Sequence, residues 1–312
     1  MHTTVLNIPT PTNFNFWRTA YSHGWADLPP FSYNPDTEEL SRVLTVDSGT
    51  VVSTVLKANG SAKWDAQQRQ KRITVKVDSA QPLSSSQKQS LISQLRSCLR
   101  LNEEFLGFHR VARKHPEYKW IAASGSGRML RAPTVFEDVV KMICTTNCTW
   151  ALTKLMVTNL VEHFGEKLDP TLHAFPTAEA IAASSEKYLR KEIKAGYRSP
   201  YLIELAERVA SGKLDLESWR MSQLPTDELF KQMRSVKGVG PYAAGNLMKL
   251  VGRYDYLGLD SWVRAQYYKL HRNGRTVKDS TIEKHYEPYG KWRGLFFWLE
   301  MTRYWHDEKF RL

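Results

Sequence analysis

The stretch "SVKGVGPYAAGNLMKL", Ser235 to Leu250, sets two glycines around one valine between a helix-like run and a second, alanine-rich one. A loop this short needs backbone angles that glycine reaches without steric cost. Backbone N–H groups at such a loop, beside the start of a helix, can grip a phosphate oxygen. Glycine also serves simply to end a helix, so the loop alone carries little. A second mark follows twenty residues after Gly240, where "YLGLDSWVR" places Asp260 immediately before a new helical run. Taken alone, Asp260 reads as an N-cap that accepts bonds from first-turn amides.

Charge gives the loop a context. The 312 residues carry 44 Lys plus Arg against 32 Asp plus Glu, a formal net charge of +12 that points to an acidic partner, nucleic acid first among them. Only three cysteines are present, Cys98, Cys144 and Cys148, which argues against a disulfide framework and for a reducing compartment. The N-terminus lacks a basic segment followed by an apolar core, and no run of about 18 apolar residues occurs. The expectation is a protein with no export signal and no membrane contact, either cytoplasmic and nucleoid-associated in a bacterium or nuclear in a eukaryote.

From Glu39 to Val77 the pattern is strand-like: β-branched runs flank an Asp-Ser-Gly turn, and "RITVKV" alternates Ile73, Val75 and Val77. The spacing then turns helical, with Leu91, Leu95, Leu99 and Phe105 apolar after a Ser-rich start. Beyond "SGSG", Ser124 to Gly127, nearly everything reads as helix. Thr134 with Glu137 forms a capping-box pattern, Trp150 to Phe164 is closed by Gly165, Ser199-Pro200 announces a helix that ends near Gly212, and Thr226 starts the helix that leads into the glycine loop. The expected fold class is α+β, with an antiparallel β domain over 1–124 followed by an all-α domain over 125–312.

The Gly-Val-Gly hairpin followed at this interval by an apolar-Asp pair resembles the helix-hairpin-helix (HhH-GPD) DNA glycosylases, closest to the 8-oxoguanine and alkylpurine (3-methyladenine) branch. Three further segments resemble the same family: "MICTTNCTWALTKLMVTNLVEHFG", "AGYRSPYLIELA" and "YEPYGKWRGLFFWLEMTRYW". With the hairpin they follow one another in order along the chain as far as Trp305. The resemblance implies a TBP-like β domain ahead of the helical one, and a monomer acting on double-stranded DNA that contains a damaged base. It places Gly238, Val239 and Gly240 on the phosphates and Asn147 in the gap left by an extruded nucleotide. Tyr197 and Arg198 would wedge the stack and meet the orphaned base.

The same resemblance makes Asp260 the catalytic carboxylate. Breaking an N-glycosidic bond builds positive charge on the sugar, which a fixed carboxylate stabilises while it orients or deprotonates the attacking water. Family members that also cut the strand use a lysine to form a Schiff base. Tyr242 stands at that position, and neither Lys237 nor Lys249 occupies it. The reading is therefore monofunctional, hydrolytic base excision in base excision repair.

The aromatic residues Trp150, Trp262, Trp292, Phe296, Phe297 and Trp298 offer stacking surfaces that suit a cationic alkylated purine, although most such residues at helical spacing fill cores. Trp298 falls where the family contacts the flipped base, and with Tyr242 it is the expected base pocket. The family's glutamine one turn earlier is Gly294, which weakens an oxidised-purine reading; a deaminated base is the other alternative. No metal and no cofactor are expected, because Cys144 and Cys148 supply two ligands where zinc needs four, and three cysteines cannot hold a four-cysteine cluster. Of other classes, a non-catalytic helix-hairpin-helix DNA-binding protein would lack the aspartate, and an RNA-binding protein would show an RNA module.

Overall fold

The computed structural model describes residues 1–47, 49–59 and 72–305. Ser48 of the expected turn, the 60–71 part of the strand-like stretch and the 306–312 end of the helical domain lie outside the described residues. The N-terminal sheet is antiparallel and holds β1 (His2–Pro9), β2 (Phe31–Asn34), β3 (Glu39–Val46), β4 (Thr50–Ala58) and β5 (Arg72–Ser79), in the order β1-β5-β4-β3-β2. Alternation fixes the faces, since successive strand residues point to opposite sides. Ile73, Val75 and Val77 of β5 are all buried, and so are Val52, Leu56 and Ala58 of β4. β1 pairs Thr4 with Val77 and Leu6 with Val75 at the sheet edge.

α1 (Phe16–Ala20) lies between β1 and β2, and α2 (Ser85–Cys98) follows the sheet. Ser84 and Gln87 form a complete capping box at the start of α2. The remaining helices are α3 (Leu106–Lys114), α4 (Lys119–Ala123), α5 (Val135–Cys144), α6 (Trp150–Phe164), α7 (Ala178–Ala182), α8 (Glu186–Lys191), α9 (Ser199–Ala210), α10 (Thr226–Arg234), α11 (Pro241–Leu250), α12 (Ser261–Arg272), α13 (Asp279–Tyr286) and α14 (Arg293–Met301). This is the α+β order expected: an antiparallel sheet and then helices. One apolar core joins the inner face of the sheet to α2, α5, α6, α9 and α11. A second, aromatic core packs Phe105, Phe108, Tyr118 and Ile121 against Tyr267, Tyr286, Phe296 and Phe297.

The two halves are latched by buried charge. Every residue of α5 is buried, Glu137 and Lys141 among them. Thr134 caps α5 by accepting from the Glu137 N–H, but the Glu137 side chain does not complete the expected capping box. Its carboxylate instead accepts both Arg42 guanidinium nitrogens, at 3.0 and 2.5 Å, and lies 2.7 Å from Lys141 Nζ. Burial opposes the carboxylate's charge, yet Arg42 and Lys141 hold Glu137 below the ordinary carboxylate range. The first-turn amides of Val135 and Phe136 bond the carboxylate of Glu217 instead.

Candidate active site and nucleic-acid groove

The glycine loop joins α10 to α11. Gly238 has φ +85°, and a Cβ there would approach the Tyr201 ring at 3.0 Å, so both backbone angle and space select glycine. Gly240 departs from the expectation of positive φ. Its φ is −78°, it caps α11 with no side-chain acceptor, and a Cβ would meet nothing within 4 Å. Its value is an open approach to the first turn of α11, where Pro241 has no N–H to satisfy. Val239 is buried and anchors the loop.

Asp260 caps α12: Oδ1 accepts from Val263 N–H at 2.8 Å, which holds the carboxylate in one orientation. What brings it to α11 is a close backbone approach. A Cβ on Gly245 would come 2.6 Å from the Gly258 Cα, and Gly258 itself has φ +69°. The chain segment that carries Asp260 therefore lies directly on α11.

Two cavities meet at this point. One, of about 840 Å³, is a groove lined by Thr146, Asn147, Tyr197, Lys237 and the 238–240 loop. The other, of about 600 Å³, is a deeper aromatic cavity lined by Tyr21, His23, Trp25, Trp150, Trp298 and Trp305, among others. Thr145, Cys148, Tyr242, Asp260 and Trp262 line both. Asp260 thus stands at the mouth between an open groove and a chamber within the usual size range of ligand sites.

In the groove Asn147 has φ +46°, a left-handed angle that Asn tolerates better than most residues, and Tyr197 is 45% exposed. The Tyr197 hydroxyl lies 3.2 Å from Thr146 Oγ1 and 3.4 Å from Asn147 Nδ2. Arg198 is placed differently from its neighbour. It is buried, donates through Nε to the Ile143 carbonyl at 3.2 Å and through a second nitrogen to the Thr146 carbonyl, and stacks on Tyr197. Its guanidinium satisfies the carbonyls at the end of α5 and braces the turn that presents Asn147. Lys237 pairs with Glu204 at 2.5 Å.

In the cavity Tyr242 occupies the first turn of α11, with its hydroxyl pushed above the ordinary phenol range by burial, and further by the Asp260 charge. Trp298 donates its indole N–H to the Ser22 carbonyl at 3.1 Å, tying α14 to the N-terminal segment. Trp150 and Trp262 join Trp298 in the lining, whereas Phe296 and Phe297 are core and Trp292 packs on Tyr254, Phe105 and Phe108. No side chain fits at position 294, because a Cβ there would strike the Tyr256 carbonyl. Behind the cavity lies Lys249, fully buried, its Nζ 3.2 Å from the Gly245 carbonyl and 5.9 Å from the Trp298 ring centre. Burial lowers its pKa to about 8, against the opposing pull of Asp260.

Sequence reasoning missed the contribution of the N-terminal segment, Tyr21 to Asp27. Trp25 is locked by donating to Asp138 at 2.8 Å, and His23 lies 4.8 Å from it ring to ring. The run of polar and aromatic residues in "YSHGWAD" was a signal, but nothing local says that it faces Asp260. Among the described residues no group of three metal-ligating side chains occurs. Cys148 donates to the Cys144 carbonyl, and burial pushes the Cys144 thiol up to about 12. No described helix is long and apolar enough to cross a membrane.

Residues 140–290 match the HhH-GPD superfamily of base excision DNA repair proteins. The match falls within the helical half. A 3-methyladenine DNA glycosylase from Archaeoglobus fulgidus is similar over 96% of this chain and 99% of its own, at 17% identity and a TM-score of 0.74. The Clostridium acetobutylicum 8-oxoguanine glycosylase/lyase, solved with double-stranded DNA, is similar over 98% of each chain at 19% identity and a TM-score of 0.70. An N-glycosylase/DNA lyase of Saccharomyces cerevisiae is 25% identical over 133 residues, which span 39% of this chain and 35% of that protein. The two solved structures share the fold across both halves, sheet included.

Proposed function

We propose that this HhH-GPD protein is a DNA glycosylase that flips a damaged purine, favouring an alkylated one, into the aromatic cavity and hydrolyses its N-glycosidic bond without cutting the strand. The observation that carries the reading is the position of Asp260, shared by the groove and the cavity. DNA lies along the groove, its phosphates on the 238–240 loop and its opened stack at Asn147 and Tyr197. Arg198 acts as a positioning residue beneath them. The extruded nucleotide passes Asp260, which faces the sugar as positive charge develops there and orients the attacking water.

The indoles of Trp25, Trp262 and Trp298 line the chamber, and aromatic faces attract a cationic alkylated base more than a neutral one. Tyr242 occupies the place of a nucleophilic lysine and carries no amine. A second reading, strand cleavage through Lys249, is favoured by its lowered pKa beside Asp260. Against it, Nζ bonds Gly245 and packs under Gly258, away from the cavity lining. The test is a panel of duplexes carrying alkylated, deaminated, oxidised or mismatched bases, each incubated and then treated with alkali. Alkali-dependent breaks at alkylpurines support the reading. Breaks at oxidised purines alone contradict the substrate, and no breaks anywhere contradict the activity.

A further inference from the structure

Five tryptophans line the aromatic cavity, and four of them are fixed by bonds or by one another. Trp25 and Trp298 donate their indole N–H groups, to Asp138 and to the Ser22 carbonyl. Trp262 and Trp305 pack ring on ring, with centres 5.1 Å apart. Trp150, in the first turn of α6, differs. It is 40% exposed, and among the described residues its indole N–H finds no acceptor and its ring no ring partner. What seats it is steric. A Cβ on Gly24 would lie 2.3 Å from Trp150 Cη2 and 2.5 Å from Cζ2, so the outer corner of the indole rests on the Gly24 backbone. Gly24 opens a single 3₁₀ turn, Gly24–Asp27, and has no positive φ, so its backbone does not call for glycine. The ring is what leaves no room for a side chain there.

We infer that Trp150 is the adjustable wall of the base pocket, a residue that closes on the extruded base from the solvent side and holds it in place beside Asp260. This rests on the reading of the cavity as the base pocket. Trp25 or Trp298 would have to give up a hydrogen bond to turn toward a base, whereas Trp150 has none to break. Its exposed apolar surface leaves water only when something flat covers it, and that gain is made only with a base in the cavity. Gly24 and Trp150 come from the N-terminal segment and the helical half, so their contact closes the cavity where the two halves meet. Trp150 therefore contributes to holding the base and not to the grip on the phosphates.

The test separates the base from the rest of the DNA. Two duplexes are titrated with the wild-type protein and its variants, and thermal melts are recorded alongside. One carries an alkylated purine on a 2′-fluorinated sugar, which slows hydrolysis, and the other a tetrahydrofuran abasic analogue at the same position. Trp150→Ala is expected to lose about tenfold in affinity for the lesion duplex, the order of one base–aromatic stack. Its affinity for the abasic duplex and its melting temperature should stay nearly unchanged. Trp150→Phe, which keeps a ring, should recover part of the loss. Gly24→Ala leaves every tryptophan in the chain but drives the indole off its seat, and should reproduce the loss; the clash is with the free end of a side chain, so the fold tolerates it. Lesion binding unchanged in Trp150→Ala overturns the inference, as does an equal loss for the two duplexes. If the duplex panel shows no excision while Trp150→Ala still loses the lesion duplex alone, the hydrolytic reading fails and the wall stands. Excision at the wild-type rate by Trp150→Ala, with lesion binding unchanged, overturns the wall and leaves the enzymatic reading in place.

Discussion

The groove and the cavity differ in how the chain builds them. The groove is made from short continuous pieces, the 145–148 turn, Tyr197, and the 236–243 loop, each held by its own backbone geometry. The cavity draws its walls from 21–27, 129, 142–153, 242–262 and 298–305, residues that meet only after the sheet half and the helical half have docked. On the proposed function, the local motifs would meet what is common to all DNA, the phosphate and the opened stack. The part that would tell one base from another is distributed, and it includes the N-terminal segment.

If the boundary between the two regions is where the chemistry happens, Asp260→Asn has the largest effect. The amide still caps α12 but removes the charge that faces the sugar, so excision should fall about 10²–10³-fold with lesion binding retained. Activity within a few-fold of wild type would leave Asp260 only its capping role.

The groove itself is sharpened by a contrast between neighbours. Arg198→Ala should lower stability by about 2–4 kcal/mol, because it strips bonds from the buried Ile143 carbonyl and the part-buried Thr146 carbonyl and empties a buried site. Tyr197→Ala should leave the melting temperature nearly unchanged and weaken binding to a lesion duplex roughly tenfold, in line with the ~1–3 kcal/mol of base–aromatic stacking. Equal stability losses in the two variants would make Tyr197 a packing residue.

The buried lysine separates the cavity's chemistry from its stability. The Lys249 pKa is depressed to about 8, so below pH 8 the folded protein bears the full cost of burying an ammonium. Between pH 8 and the ordinary lysine range the unfolded chain binds more protons, and wild-type stability rises with pH. Lys249→Met should therefore be more stable than wild type at pH 7 by about 1–3 kcal/mol, with the difference shrinking toward pH 10. Thermal melts across that range check it, and a destabilised variant would mean that the Asp260 attraction outweighs the burial cost. The smallest effect expected is at the loop: each phosphate held should contribute a slope of about −0.9 in log K against log salt, and Gly240→Ala, with open space around its Cβ, should leave that slope unaltered.

Much of the fold was legible for physical reasons that act locally. The alternation in "RITVKV", the Trp150 to Phe164 helix and the start at Thr226 all reappear, because apolar period and caps are short-range signals. Glu137 shows the limit, since the Thr134 cap forms but the expected capping box does not: Arg42, 95 residues away, takes the carboxylate. Arg198 shows another: "AGYRSPY" does not reveal that one of two adjacent polar side chains turns inward. β1 went unread because only one face of this edge strand is covered, leaving Val5 exposed. His23 could not be placed by any spacing rule, as its setting beside Trp25 and Trp298 is purely tertiary.

The central claim is that water, not an amine of the protein, breaks the bond at the mouth of the cavity. It is tested most directly by incubating enzyme with a duplex carrying an alkylated purine in two parallel reactions, one with borohydride to trap any imine between protein and DNA, and one without borohydride whose products are resolved with and without alkali. The account predicts base release with an intact abasic strand, no covalent protein–DNA adduct, and breaks only after alkali. An adduct in high yield that disappears in Lys249→Met would contradict it and assign the chemistry to the buried lysine.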